Sequence, residues 1–519
     1  MMGGVRMGSK GREARTLFIF LAAFFCLNLL ALTRFPLVHS DESWLAGLAR
    51  NMMASGSLGV TEPFFDLKPR FPHAVKALFH ILQMPFLLAF GYSAFSVRLL
   101  SLLFGAGALS LCFRCARETA SFRLSLGFAA LVALNGQFLA ASHTARQEII
   151  LLFGMLLLLL ILLKRGGAPG TGTAVSLGMI TGLCVGIHPN SLLLALGCGL
   201  AMLLPMLFQK RVLWKPLLAY IAVTGGIAAL FVGLSFLFDP QFPAHYMAYG
   251  ESEFDLIVPL ASKFGEFGYY VQKLWSGVSG TYRLPLLKAQ LLLWPVLMLF
   301  GTVRALRTRD AKLFAVLGMS LGALLGTIVI GRYNQLSAIL WMFPPLLLLP
   351  SLLSGFRWRG LAWAALATCL AVCSVLSFAP DFSYSYEDYL DEIAAYVAPD
   401  EKTLGNLNAG FYFENDALLD LRNLSYLYEN GLSFAEYVET RGIEVILWPD
   451  EMDYIYNHRP VWNIVYGNPR YVEEVEAFLS ARCTCVGEFV DPGYAVRIVQ
   501  EIGKPYKVRV YRVNTNGEE

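Results

Sequence analysis

The chain has 519 residues, 56% of them hydrophobic and 15% charged, with a formal net charge of +3 and a mean hydropathy of +0.54. Soluble domains average about 25% charged residues, so this composition excludes an ordinary soluble enzyme and implies a polytopic membrane protein. Residues 1–379 hold 30 Lys and Arg against 13 Asp and Glu, whereas residues 380–519 hold 11 against 25; the acidic tail lacks the basic face that nucleic acid requires.

Residues 1–16 carry Arg6, Lys10, Arg12 and Arg15 ahead of an uncharged run from Leu17 to Thr33. No small-residue cleavage site follows that run, which favours a retained signal-anchor with its N-terminus inside over a cleaved signal peptide. Further apolar runs lie at about 94–113, 124–142, 149–163, 171–187, 191–208, 217–238, 287–303, 313–331, 336–353 and 361–379. Each approximates the roughly 17–25 residues of a spanning helix, some only with help from flanking residues. Segment 74–90 is also apolar on balance, but Lys76, His80, Gln83 and Pro85 interrupt it.

Loop charge decides whether 74–90 crosses. If it does not, connections 1–16, 114–123, 164–170, 209–215, 304–312 and 354–360 all fall inside, with 18 Lys and Arg in 56 residues. The short outward loops 143–148, 188–190 and 332–335 then carry only Arg146 and Arg332. The pattern predicts eleven spanning helices, with 74–90 an amphipathic juxtamembrane helix. The long loops 34–93 and 239–286 and the tail 380–519 then share the outer face.

The tail alternates helical and strand patterns, predicting helices at Tyr386–Val397 and Tyr471–Ala481 and strands at Val445–Trp448, Cys485–Val490, Ala495–Val499 and Lys507–Val513, together a small soluble α/β domain. It contains no internal repeat and no nucleotide-binding glycine motif. Seven of the nine cysteines lie in or beside apolar runs, as small core residues do. Cys112 and Cys115 lack the second pair of a metal site, and the Cys483–Cys485 spacing makes a strained bridge.

Chemistry-bearing residues gather on the outward side. Ser40, a good N-cap, precedes Asp41 and Glu42, and the run from Trp44 to Met53 has helical spacing. Adjacent carboxylates beside hydrocarbon are costly unless they serve water, a metal or a reaction, although acids also favour a helix N-terminus. Lys68, Pro69, Arg70, Pro72 and His73 form a proline-restrained basic turn suited to an anionic phosphate, or a set of side chains snorkelling to headgroups. His143–Glu148 place an acid and a base at the mouth of a helix, as a site or as a local ion pair. His188-Pro189 marks the next outward turn, Arg283 closes the loop 239–286, and Arg332-Tyr333 precede Trp341, Pro344 and Pro345.

Together these motifs resemble the C-type (GT-C) membrane glycosyltransferases, in the branch of polyprenyl- or dolichyl-phosphate-mannose protein mannosyltransferases and lipid A aminoarabinose transferases, over residues 15–379. The resemblance implies a mainly α, polytopic membrane catalytic domain at 1–379 and an extracytoplasmic α/β domain at 380–519. It implies Asp41 as general base with Glu42 and Glu148 orienting or tuning it, and Lys68, Arg70 and Arg332 as donor-phosphate ligands. His73, Arg146, His188, Arg283 and Tyr333 are further candidates. A lipid phosphate is already a good leaving group, so the two-carboxylate arrangement of glycosidases is not obligatory; single displacement with inversion is implied. The partners would be a polyprenyl-phosphate sugar and a glycan, lipid or protein acceptor, in a bacterial inner membrane, with no nucleic acid. A divalent cation (Mg or Mn) between Asp41 and Glu148 is compatible with the residues but not demanded by them. Two other classes stay open: a transporter or flippase of lipid-linked sugars, which should show polar groups near the bilayer midplane, and a non-catalytic receptor or assembly factor.

Overall fold

Backbone groups in hydrocarbon must be satisfied within their own segment, which forces the apolar runs into helices. The computed structural model describes residues 9–254, 258–276, 285–331, 334–450, 452, 456, 469–491, 494 and 506–514. Its helices are α1 (Ser9–Leu30), α2 (Ser40–Ser55), α3 (Ala77–Phe90), α4 (Ala94–Arg117), α5 (Phe122–Ala133), α6 (Gly136–His143), α7 (Glu148–Lys164), α8 (Thr171–Val185) and α9 (Ser191–Phe208). They continue through α10 (Trp214–Phe238), α11 (Phe242–Phe254), α12 (Leu260–Ser276), α13 (Pro285–Thr308), α14 (Ala311–Ile330), α15 (Ile339–Met342), α16 (Leu349–Ser354) and α17 (Arg359–Phe378).

Among the described residues eight helical segments are long and apolar enough to cross a membrane, or nine if the bent pair α5 and α6 makes one span. The apolar helices α7 and α8, with 17 and 15 residues, are shorter. Two expected spans are not regular α-helices throughout. The run 124–142 breaks by 65° between α5 and α6, where the Asn135 side chain accepts a hydrogen bond from Phe138 N and starts a new helix. The run 336–353 is a chain of short turns around α15 and α16, because Pro344, Pro345 and Pro350 cannot donate to a helical ladder. Helix α3 has 14 residues, about 21 Å of rise, too short for a bilayer core of about 30 Å. It fits the juxtamembrane helix expected of 74–90.

Small residues let the bundle close. Gly318 and Gly322, one turn apart on α14, lie so near α9 that an added Cβ would come within 2.7 Å of Ala201 Cα or 2.6 Å of Gly197 Cα. Gly178 and Gly182 on α8 do the same against Val223 and Ile227 of α10. Within a bilayer such ridges replace the missing hydrophobic drive with close packing.

The C-terminal region adds α18 (Tyr386–Ala394), α19 (Phe434–Arg441), α20 (Val472–Arg482) and strands β1 (Thr403–Gly405), β2 (Leu418–Asp420), β3 (Val445–Pro449), β4 (Cys483–Asp491) and β5 (Tyr506–Val513). The sheet order is β2-β1-β3-β5-β4, with β1 parallel to β2 and β3, and β5 antiparallel to β3 and β4. Strands β1 and β2 were not expected: three residues each, buried throughout, they carry no alternation to detect. The expected strand 495–499 lies outside the described residues. The core of this region is continuous with the segment between α1 and α4, for Phe64, Phe65, Leu67 and Ala46 pack in one cluster with Leu418, Leu424 and Trp448.

Candidate active site

Helix α2 places its two acids in different surroundings. Its N-cap is His39 and not Ser40: His39 Nδ1 accepts from Asp41 N at 3.0 Å, and His39 N donates to Glu42 Oε1 at 2.9 Å. This capping box turns Glu42 inward and leaves the Asp41 side chain 20% exposed. Glu42 is wholly buried and receives Arg98 Nε at 2.8 Å, Arg98 Nη2 at 2.7 Å and Ala145 N at 2.8 Å besides His39 N. Its oxygens are committed to four donors, an arrangement suited to the orienting role expected of Glu42 and not to meeting an acceptor. Arg98, also wholly buried, escaped the sequence reading because a single arginine inside an apolar run has no local partner.

The short loop between α6 and α7 delivers the second acid. Arg146 Nη1 donates to Asp41 Oδ2, while its Nε and Nη2 fork onto Glu148 at 3.3 and 3.2 Å. Glu148 opens α7, where the N-terminal dipole favours an acid. It also accepts from Ser337 Oγ at 3.2 Å, and Ser337 Oγ accepts from Asn190 Nδ2 at 3.2 Å. His188 Nδ1 accepts from Asn190 N at 3.0 Å, so His188 lies three links behind Glu148. A dication between Asp41 and Glu148 would need both carboxylates turned onto one point. Here the Arg146 guanidinium holds that interval, and the residues as arranged do not fit a metal ion. Chelation with EDTA is therefore expected to leave activity unchanged, measured as initial rates before and after dialysis; a metal-reversible loss would contradict the arrangement.

The basic turn approaches from the other side. Trp44 follows Asp41 by three residues, on the same face of α2. The Lys68 ammonium lies 5.6 Å from both the Trp44 and Phe65 rings, and Lys68 is 5% exposed. Arg422 of the C-terminal region approaches the same rings at 4.5 and 5.1 Å, paired with Asp420 at 2.6 Å. Arg70, expected to hold phosphate, instead forks onto Glu62 at 3.0 and 2.7 Å, and Trp44 Nε1 donates to the same carboxylate at 2.7 Å. Burial alone would raise the Glu62 carboxyl, but Arg70 holds it down at about 2; the guanidinium is correspondingly raised. His73 is driven down to about 3, first by burial and then by Lys76 and Arg70. Burial and the neighbouring cations disfavour its charged form, and its ring packs against Phe242 and Tyr246. Glu62 and Arg422 were missed by sequence reading: Glu62 lies 18 residues from Trp44 and 8 from Arg70 in an irregular loop with no motif to pair them, and Arg422 is far along the chain from its partner rings. Arg283, Arg332 and Tyr333 lie outside the described residues.

No family model matches the chain, and no curated protein matches it. Solved structures do. ArnT from Cupriavidus metallidurans bound to undecaprenyl phosphate aligns over 99% of this chain and 100% of its own, with 14% identity and a TM-score of 0.56. Its apo state aligns over 83% and 95%, with 14% identity and a TM-score of 0.52. The archaeal oligosaccharyltransferase AglB from Archaeoglobus fulgidus, in complex with an inhibitory peptide and a dolichol-phosphate, aligns over 92% and 74%, with 13% identity and a TM-score of 0.52. Likeness at such low identity is a likeness of fold.

Proposed function

Starting from an integral membrane protein with the C-type glycosyltransferase fold, we propose that it transfers a sugar from a polyprenyl-phosphate-linked donor to an acceptor hydroxyl or amine. The reading places the reaction on the outer face of the membrane, with the N-terminus in the cytoplasm, as the basic inward loops favour. One observation carries it: Asp41, a partly exposed carboxylate, lies one helical turn before Trp44 on α2, and the Lys68 ammonium lies 5.6 Å from the Trp44 ring. A sugar phosphate seated there meets a base at one end and a positive charge at the other.

In this reading Asp41 removes the acceptor proton as the acceptor oxygen or nitrogen bonds to the anomeric carbon. The bond from that carbon to the phosphate oxygen breaks, its electron pair stays on the phosphate, and the configuration inverts. Lys68 steadies the charge that grows on the departing phosphate. Arg146 keeps Asp41 and Glu148 apart and oriented, and Glu148, anchored through Ser337, holds Arg146 in place. Arg332 joins the phosphate ligands on sequence grounds.

The test is transfer of radiolabelled sugar from a panel of polyprenyl-phosphate monosaccharides in proteoliposomes. Donor-dependent product supports the reading; no consumption of any donor by folded protein counts against it. Lys68→Met is expected to lower transfer by about 10²–10³-fold with the fold intact, the cost of losing one charge-stabilising group. Arg70→Met should act differently, because it strands the buried Glu62 carboxylate. Its first effect is expected in thermal unfolding, lowered by about 3–5 kcal/mol.

A further inference from the structure

The turn that carries Lys68 is held from outside its own loop. Asp66 N, Leu67 N and Lys68 N all donate to one atom, Asn423 Oδ1, at 3.2, 3.3 and 3.3 Å. Asn423 is wholly buried, and its Nδ2 donates back to Phe64 O at 2.9 Å. Beside it, Asp420 N donates to the same Phe64 carbonyl at 3.1 Å. The Asp66 carboxylate accepts from Tyr437 Oη at 2.9 Å and from Arg441 Nε. Every one of these partners belongs to the C-terminal region, more than 350 residues along the chain.

Three successive backbone N–H groups pointing at one acceptor form a concave nest. A nest fixes the backbone of all three residues at once, and so fixes where the third side chain starts. We propose that Asn423 is a positioning residue for Lys68, and that the C-terminal region thereby sets the affinity of the membrane site for the donor phosphate. The acidic, soluble tail is then a working part of the site. Its position along the chain explains why a turn with two prolines, Pro69 and Pro72, still needs an external clamp: the prolines restrain the residues after Lys68, and Asn423 restrains those before it. The binding half of this inference rests on the function proposed above; the clamp itself does not.

The experiment uses the full-length protein in proteoliposomes, with undecaprenyl phosphate as the probe. Amide hydrogen exchange of residues 64–68 is followed in wild type and Asn423→Ala. Affinity for the probe is measured in wild type, Asn423→Ala, Lys68→Met and the double variant. Loss of protection confined to 64–68, with affinity weakened at least about ten-fold, is expected, since misplacing a binding group by about 1 Å can cost on the order of 100-fold. In the Lys68→Met background, Asn423→Ala should add less than about two-fold, because both changes remove the same contact. Asn423→Asp keeps the acceptor for the three N–H groups and should restore protection, which a global folding defect would not permit. Unchanged exchange at 64–68 overturns the clamp. Independent, multiplying effects on affinity overturn the link to Lys68. Lost protection in Asn423→Ala, together with wild-type affinity in Lys68→Met, would sustain the clamp and remove the phosphate reading.

Discussion

Replacing Arg98 with methionine is expected to destabilise the protein by about 3–5 kcal/mol, the range for breaking a buried ion pair from one side. The expectation follows from what is left behind. Glu42 and Arg98 are both wholly buried, and the guanidinium also donates to Leu32 O at 3.0 Å, tying the end of α1 to the start of α2. Methionine fills much of the space but leaves a carboxylate with two backbone donors, His39 N and Ala145 N, and no countercharge. A neutral amide in its place would still accept from one of those donors. The double variant Arg98→Met with Glu42→Gln should therefore be more stable than Arg98→Met alone, by at least about 1 kcal/mol. Unfolding in detergent, followed by tryptophan fluorescence, measures both. If Arg98→Met unfolds within about 1 kcal/mol of wild type, the pair is not the anchor described here.

The same pair shows what a sequence can and cannot disclose. Asp41 and Glu148 stood out because each is a charge abutting an apolar run, a cost that asks for a reason, and Lys68 because it is a cation in a proline-restrained turn. Glu42 was read as a carboxylate that orients or tunes Asp41, but what holds it was not legible. Its partner sits 56 residues away inside what reads as an uninterrupted spanning helix. The break between α5 and α6 was written in Asn135-Gly136, but a single capping residue inside a hydrophobic run is outweighed by the run. Asn423 gave no signal: a neutral side chain in a soluble tail reads as surface until the loop it caps is seen beside it. The eleven apolar runs were readable from hydropathy alone, whereas their kinks were not, because prolines and caps act within one turn and the membrane signal is averaged over many.

The Asp41→Asn variant is expected to lose about 10²–10⁴-fold in transfer rate, the usual share of a positioned general base. Asparagine is nearly the same shape, and its Oδ1 still accepts from Arg146 Nη1, so the bridge to Glu148 through Arg146 survives. The capping box also survives, because it uses Asp41 only through its backbone N–H. The loss should therefore appear in the rate of the chemical step, with affinity for the lipid phosphate unchanged and unfolding within about 0.5 kcal/mol of wild type. Glu148→Gln supplies the contrast. It keeps an acceptor for Arg146 but removes the charge that balances the guanidinium, so its effect should be smaller and should reach Asp41 only through Arg146. Single-turnover transfer with enzyme in excess over donor separates the two cases. If Asp41→Asn retains more than about a tenth of the wild-type rate, Asp41 is only part of a helix N-terminus, and the base must be sought among the other groups around Trp44. If both variants fall equally, and each loses affinity for the lipid phosphate as well, the three-residue bridge acts as one structural unit and the assignment of the base to Asp41 alone fails.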